Sequence, residues 1–264
     1  MTSYDAELDT SADRSCPVRG CPGFDSSVKL ECRVCGRCCH TACLTRKNKG
    51  DQHALTAMEN ATTDKGWSCF NCENLGSLLE EEDTQLMIDN FDQHDPDQNT
   101  QVTVDEFVAF QQNLCRQMKG RELSESEEQQ AREAFDNIDI NRDGSIGWWE
   151  FVTAESVHFL QKKPKEYLVK LLTPREIQRI RDIYKEKDFN GQGMLVQNYY
   201  EEVIKQWMDG LGLEPKDGDY TKYLLVESGI VQWDTFLREH AISILSARPN
   251  IFGKKHFLPV SHRS

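Results

Sequence analysis

Apolar positions recur at helical spacing along the second half of the chain and thin out near the N-terminus. Ile177, Ile180, Ile183 and Tyr184 lie on one face of a helix. Thr173 as N-cap, Pro174 at the first helical position and Glu176 two residues later mark where that helix starts, so the pattern predicts a helix over 174–187. A second capping signal, Ser124 with Glu127, opens a helix that leads to Phe135, and Phe151 resumes the apolar pattern after a polar stretch. Leu168, Leu171 and Leu172 mark residues 161–173 as a packed linker. By contrast, the segment from 16 to 72 has few apolar residues, too few to build much of a core unaided. No apolar run approaches the ~20 residues that span a bilayer. A chain of 264 residues with this uneven pattern divides into two or three small domains.

The formal net charge of −13 narrows the partners. A strongly acidic chain is a poor candidate for sequence-blind binding to nucleic acid or to anionic membrane. The opening MTSYDAELDT has neither a basic nor an apolar signal-peptide region, and residue 2 is Thr, so N-myristoylation is not expected. With no secretion signal, the cysteines suit metal in a reducing, cytoplasmic setting better than a disulfide knot.

Those cysteines change the picture of the N-terminal region. Cys16, Cys21, Cys32, Cys35, His40, Cys43, Cys69 and Cys72 follow the spacing C-x4-C, x10, C-x2-C, x4, H-x2-C, x25, C-x2-C. Four close pairs of soft ligands are what two tetrahedral Zn²⁺ ions require, and metal then replaces the missing core. Cys38 and Cys39 are neighbours of the set. The regular spacing favours Cys35, His40 and Cys43, leaving Cys39 as a small buried hydrophobe. Both zinc sites would be closed, with no open position for a water nucleophile.

Two loops carry oxygen ligands. Residues 139–150 place Asp139, Asn141 and Asp143 at positions 1, 3 and 5, Gly144 at 6, Ser145 at 7 and Glu150 at 12 of an EF-hand loop, with Ile146 set to pair with a partner loop. Residues 95–106 offer Asp95, Asp97, Asn99, Gln101, Thr103 and Glu106, but put Thr100 at position 6, where φ must be positive. A β-branched residue there costs on the order of 1–2 kcal/mol, so this loop is the weaker Ca²⁺ site. Together the loops form one EF-hand pair. The pattern recurs without its ligands at 188–199 (Asp188, Asn190, Gln192, Gly193, Leu195, then Tyr199 where Glu is needed). It recurs again at 224–236, with Leu224, Val226 and Thr235 at ligand positions. These predict a second, metal-free lobe.

The expected organisation is an N-terminal segment 1–13, a zinc finger 14–76, an EF-hand pair 77–160, a linker 161–173, a degenerate EF-hand-like lobe 174–246 and a tail 247–264. The tail has four basic residues, no acidic ones, and Phe252 and Phe257. It either lies across the acidic body or is disordered. The connection at 73–79 is short, so the zinc finger is expected to pack on the EF-hand region. Nothing points to an enzyme: there is no P-loop, H-E-x-x-H or G-x-S-x-G. Cys115 lies at the end of a predicted helix and reads as structural.

The C-x2-C-x4-H-x2-C core, with Trp67 two residues before Cys69, resembles a PHD finger; the common RING order has its His earlier. That resemblance implies a small metal-stabilised α+β fold with cross-braced zincs, the first on Cys16, Cys21, His40 and Cys43, the second on Cys32, Cys35, Cys69 and Cys72. It also implies a test for methyl-lysine reading, because a cage needs aromatic faces around the ammonium. The usual cage positions hold Cys38 and Lys29, so histone reading is the weaker alternative. Phe24 is either a stray surface aromatic or a contact anchor for a protein partner.

Over most of its length the chain resembles the Gα-inhibitory interacting protein family of PHD-finger plus EF-hand-like adaptors. The resemblance rests on CRVCGRCCHTAC (32–43), GWSCFNC (66–72), LSESEEQQAREAF (123–135), LLTPRE (171–176) and VQWDTFLREHAISILSARPN (231–250). It implies a non-enzymatic protein that binds GTP-bound inhibitory Gα, blocks its coupling to adenylyl cyclase and biases G-protein-coupled receptor signalling toward Gβγ. Recruitment by that partner to the inner face of the plasma membrane would follow. Docking is expected in a groove between zinc finger and EF-hand region, with Phe24 at the contact. The resemblance also implies an N-terminal extension with a myristoylation start, which the sequence as given does not show, as expected of either a fragment or a divergent relative, and its Ca²⁺ loops are better equipped than the family's. A plain Ca²⁺-binding protein is a further alternative.

Overall fold

A computed structural model describes residues 16–23, 29–49, 52–63, 65–188, 191–211, 213 and 229–251. The chain forms two compact units. One is Leu75–Lys162; the other joins everything before it, up to Asn74, to everything after it, from Lys163.

Among the described residues, the N-terminal part of the split unit is built from short elements. Strands β1 (Lys29–Glu31) and β2 (Cys38–His40) pair antiparallel, with Leu30 opposite Cys39. Helices α1 (Thr41–Lys47), α2 (Gln52–Asn60) and α3 (Phe70–Glu73) follow. Leu30, Val34, Leu44 and Trp67 bury themselves among the cysteines. Trp67 sits beside Cys32 in an isolated bridge and accepts the Arg33 N–H at 2.7 Å, which ties the 66–72 segment to the 32–35 turn.

The continuous unit is a pair of helix–loop–helix motifs. After a 3₁₀ turn at Leu75–Leu78 come α4 (Glu81–His94), β3 (Gln101–Thr103), α5 (Val104–Lys119), α6 (Glu125–Ile138), β4 (Ser145–Gly147) and α7 (Trp148–Gln161). Capping boxes start α5 at Thr103–Glu106 and α6 at Ser124–Glu127. Gly120 ends α5 in the left-handed conformation that a C-terminal cap needs. Strands β3 and β4 pair with Val102 opposite Ile146, the contact the sequence assigned to Ile146. Phe91, Phe107, Phe135 and Phe151 close around Met87 as the core.

The C-terminal part of the split unit repeats this plan. Its elements are α8 (Lys165–Leu171), α9 (Pro174–Lys187), β5 (Met194–Val196), α10 (Gln197–Leu211), β6 (Ile230–Gln232) and α11 (Trp233–Ser246). Leu195 of β5 faces Val231 of β6, as Val102 faces Ile146. Thr173 caps α9 in a full capping box. The Tyr184 hydroxyl donates to Val231 O at 2.7 Å and lies within 3.2 Å of Gly193 O, holding the two loop segments together. The linker is not a bare connection: Pro164 starts α8, which packs on α11 and buries Leu168 and Val169. The start of the expected tail is also structural, because Ala247, Arg248, Asn250 and Ile251 are buried. Residues 252–264 lie outside the described part.

Zinc-finger residues and C-terminal lobe share one unit through specific bonds. Thr173 Oγ1 donates to Val34 O, Arg175 pairs with Glu31 at 2.7 Å, and Arg33 reaches the carbonyls of Ala247, Arg248 and Pro249. These carbonyls follow the last turn of α11, where no intrahelical donor remains, and a partly buried cation is the natural partner for them. The sequence's expectation that the 73–79 connection sets the zinc finger's packing partner missed these long-range ties. Among the described residues, no helix is long and apolar enough to cross a membrane.

Candidate metal centres

Two sulfur clusters form from ligands interleaved in sequence. Cys16, Cys21, His40 and Cys43 bring their ligand atoms within 4.8 Å of one another, as do Cys32, Cys35, Cys69 and Cys72. A tetrahedron with Zn–S arms of about 2.3 Å has S···S edges of about 3.8 Å. Cys35 Sγ and Cys69 Sγ are 3.8 Å apart. His40 Nδ1 lies 3.2 Å from Cys21 Sγ and 3.9 Å from Cys43 Sγ, close to the edges of a mixed S/N tetrahedron. The surrounding backbone turns its donors toward sulfur. His40 N points at Cys16 Sγ, Gly23 N at Cys21 Sγ and Cys69 N at Cys32 Sγ. Such N–H···S contacts stabilise thiolate over thiol.

Protonation in the second cluster is divided. Hydrogen bonds from Cys32, Cys69 and Cys72 draw Cys35 far below the usual thiol range, and Cys72 is pushed far above it by the same crowded sulfurs. A divalent cation removes that conflict, since all four then ligate as thiolates. Cys39 is fully buried outside both clusters, and its burial pushes it up to about 12, so it stays a thiol. Cys38 joins neither cluster, and Cys115 is buried on α5. Lys29 and Cys38 lie on the paired strands β1 and β2.

The oxygen loops have the expected backbone. Thr100 adopts φ +68° and Gly144 φ +87° at position 6. Asp95 Oδ2 accepts from Thr100 N and Asp139 Oδ2 from Gly144 N, the same turn in both loops. Asp95, Asp97 and Glu106 gather their oxygens within 4.8 Å, with Asn99 and Gln101 on the same turn and Thr103 bonded to Glu106. In the 139–150 loop Asn141 bonds Asp143, Ser145 bonds Asp143, and buried Glu150 accepts from Ile140, Asn141 and Gly147. Burial, reinforced by Asp139, raises the Glu150 carboxyl above its ordinary value, and a cation within reach would reverse that shift. The set of Asp, Asn and Glu oxygens in both loops suits Ca²⁺.

The C-terminal loops keep the turn but change the ligands. Gly193 and Gly229 take φ +70° and +68° at position 6. Asp188 Oδ2 accepts from Gly193 N, and the half-exposed Tyr199 holds position 12. Asn190, Leu224 and Val226 lie outside the described residues, as does Phe24.

The sequence did not mark the residues that tie zinc finger to lobe. Arg33 lies inside the Cys32–Cys35 turn, where its guanidinium also bonds Ser68 Oγ and Lys65 O. Arg248 forms a buried, two-pronged ion pair with Glu176. Asn250 contacts both Ser68 and Glu73. The only sequence sign was position: Arg33 within a CxxC turn, Arg248 and Asn250 in the 231–250 stretch.

The comparison with family models agrees with this layout. Residues 10–82 match the family described as KIAA1045 RING finger, and residues 84–154 match the EF-hand domain pair. The first carries a RING description, whereas the ligand order resembles a PHD finger; a zinc finger is common to both. The N-terminal region is therefore similar to the KIAA1045-type zinc finger, and it is followed by an EF-hand pair.

Proposed function

We propose that this protein is a non-enzymatic adaptor that binds GTP-bound inhibitory Gα, blocks its coupling to adenylyl cyclase and biases receptor signalling toward Gβγ. One observation supports this reading above the others. Stretches 32–43, 66–72, 171–176 and 231–250, which carry the family resemblance, meet in one folded unit through Arg33, Thr173 and Asn250. Segments far apart in sequence are thus joined by residues inside the stretches that carry the resemblance, and a zinc finger followed by an EF-hand pair fits the same layout.

In this reading the zinc finger is a cross-braced PHD-type module with two Zn²⁺, and the EF-hand pair holds one or two Ca²⁺. The protein works in the cytoplasm and reaches the inner face of the plasma membrane through its partner. Its metals are structural or regulatory rather than catalytic.

The test is binding to purified inhibitory Gα loaded with a non-hydrolysable GTP analogue or with GDP, each with Ca²⁺ and with chelator. Tight binding confined to the GTP state is expected, with Phe24→Ala weakening it while both zincs stay bound. Equal or absent binding in both nucleotide states would remove the reading.

A further inference from the structure

The two helix–loop–helix pairs repeat one aromatic contact and finish it differently. In the C-terminal lobe, Tyr184 of α9 meets Trp233 of α11 edge to face at 5.1 Å. The Arg181 guanidinium lies over the Trp233 ring, 5.0 Å from its centroid. Counted from the first residue of each loop, the corresponding pair in the continuous unit is Phe91 of α4 and Trp148 of α7, and these rings also meet edge to face, at 5.2 Å. The residue that corresponds to Arg181 is Ile88. Because Arg181 reaches Trp233 from that place, the place of Ile88 adjoins the Trp148 ring. Among the described residues, no lysine or arginine lies over Trp148. Trp148 is 41% exposed and Ile88 37%, whereas Trp233 is half-buried.

The surroundings of the uncovered ring are acidic. Helix α4 has no lysine or arginine, and Glu81, Glu82, Asp89 and Asp92 are exposed on it. None of the four is an EF-hand ligand, so a bound Ca²⁺ does not occupy their charges. Asp92 is one helical turn from Ile88, which makes the two neighbours on the helix surface. Lys185 holds the place of Asp92 on α9, so the repeat that supplies its own cation also lacks this carboxylate. An indole face beside an aliphatic side chain and a carboxylate suits a guanidinium. The flat cation stacks on the ring, its stem covers apolar surface and its donors reach the carboxylate.

We propose that Ile88, Trp148 and Asp92 form a docking surface for an arginine of a partner protein, which stacks on Trp148 as Arg181 does on Trp233, while an apolar neighbour of that arginine covers Ile88. The internal repeat gives the chemistry of the occupant, and the charge of α4 selects a cationic segment over an acidic one. The inference goes beyond the Gα reading and does not depend on it.

Titration of the full chain, loaded with Zn²⁺ and Ca²⁺, tests it. The probes are the capped peptide Gly-Leu-Arg-Leu-Gly and its counterparts with citrulline or glutamate in place of arginine, followed by the indole N–H shift of Trp148. The arginine peptide is expected to move that signal and to bind about threefold to fivefold tighter than the citrulline peptide, with the glutamate peptide weakest. Trp148→Leu should remove the preference for arginine. Because Trp148 also packs on Phe91, Ile88→Arg serves as a second variant at an exposed position. It places a guanidinium where the repeat has one, and should both shield Trp148 from acrylamide quenching and abolish the arginine preference. Citrulline binding as well as arginine, an undiminished arginine preference in Ile88→Arg, or shifts centred away from Trp148 would each overturn the proposal.

Discussion

Asn250 holds the backbone of Ser68 through both its N–H and its C=O. The Ser68 N–H donates to Asn250 Oδ1 at 2.8 Å, and Asn250 Nδ2 donates back to Ser68 O at 2.7 Å. The same Nδ2 also reaches Glu73 Oε2 at 2.7 Å. A side-chain amide offers one donor and one acceptor side by side, which matches the N–H and C=O of a single residue. Both residues are buried, so water does not substitute. Ser68 precedes the cluster ligand Cys69, so the clamp joins a metal-ligand segment to the end of the C-terminal lobe.

Asn250→Ala leaves a buried N–H and a buried carbonyl without partners. At about 1–3 kcal/mol for each of the two orphaned groups, roughly 2–6 kcal/mol of stability is expected to be lost. Asn250→Asp is nearly isosteric yet sets a carboxylate against Glu73, and should cost at least as much. Urea titration of the zinc-loaded chain checks this; a change under about 0.5 kcal/mol for the alanine variant would show that the fork is dispensable.

Zinc removal should loosen more than the zinc finger. Structural zinc contributes apparent energies of about 10–16 kcal/mol in finger peptides, more than most small domains have in total. The Cys32–Cys35 turn carries Arg33 to the carbonyls after α11, and Val34 O accepts from Thr173 at the start of α9. Chelation in reducing buffer, or Cys69→Ser, is expected to remove hydrogen-exchange protection from 29–47 and also from the N-terminal turn of α9 and from 244–251. Residues 81–161 should keep theirs. Loss confined to 29–73 would mean that the lobe stands without the finger.

What could be read from the sequence was local. Ligand spacing placed the cysteines, because tetrahedral coordination constrains pairs with two or four residues between them. The Asp-x-Asp-x-Asn and Asp-x-Asn-x-Asp runs placed the loops, and Thr173 with Glu176 placed the start of α9. The rest depends on distance in sequence. Asn250 and Ser68 are 182 residues apart, and no periodicity links them. Thr173 reads as an N-cap and carries no sign that its hydroxyl also donates to Val34. Pro164 and the lysines around it look like a linker and hide α8, whose stability comes from α11 rather than from its own seven residues. A basic run after Ser246 looks like a tail, yet its first arginine is neutralised by Glu176 in the interior.

Thr100 tests how much backbone strain limits the first oxygen loop. It holds φ +68° with a β-branched side chain. Thr100→Gly removes on the order of 1–2 kcal/mol of strain, partly offset by the extra chain entropy of glycine. Ca²⁺ affinity at 95–106 should rise by about threefold to tenfold, while Glu150→Gln should remove binding at 139–150 and leave 95–106 measurable. Calorimetric Ca²⁺ titration of the two variants separates the loops; unchanged affinity in Thr100→Gly would show that the free and the metal-bound loop carry this strain equally.

His240 gives the C-terminal lobe a defined response to acid. It is fully buried on α11, its Nε2 meets the Tyr200 hydroxyl, and Phe236 packs against its ring. Burial, with a smaller contribution from Lys165, lowers it from 6.5 to about 3. The folded state therefore keeps a neutral imidazole while the unfolded chain takes up a proton as pH falls below about 6.5. Stability from this group is complete above 6.5 and declines as pH drops toward 3, with a limiting slope of about 1.4 kcal/mol per pH unit. His240→Gln has no proton to take up. Whatever its absolute stability, its slope between pH 6 and pH 4.5 should be shallower by about one proton than that of the unmodified chain. Other acid-sensitive groups, the zinc thiolates among them, are common to both proteins and cancel in the difference. Parallel denaturation curves at several pH values measure that difference, and equal slopes would mean that His240 is protonated in the fold.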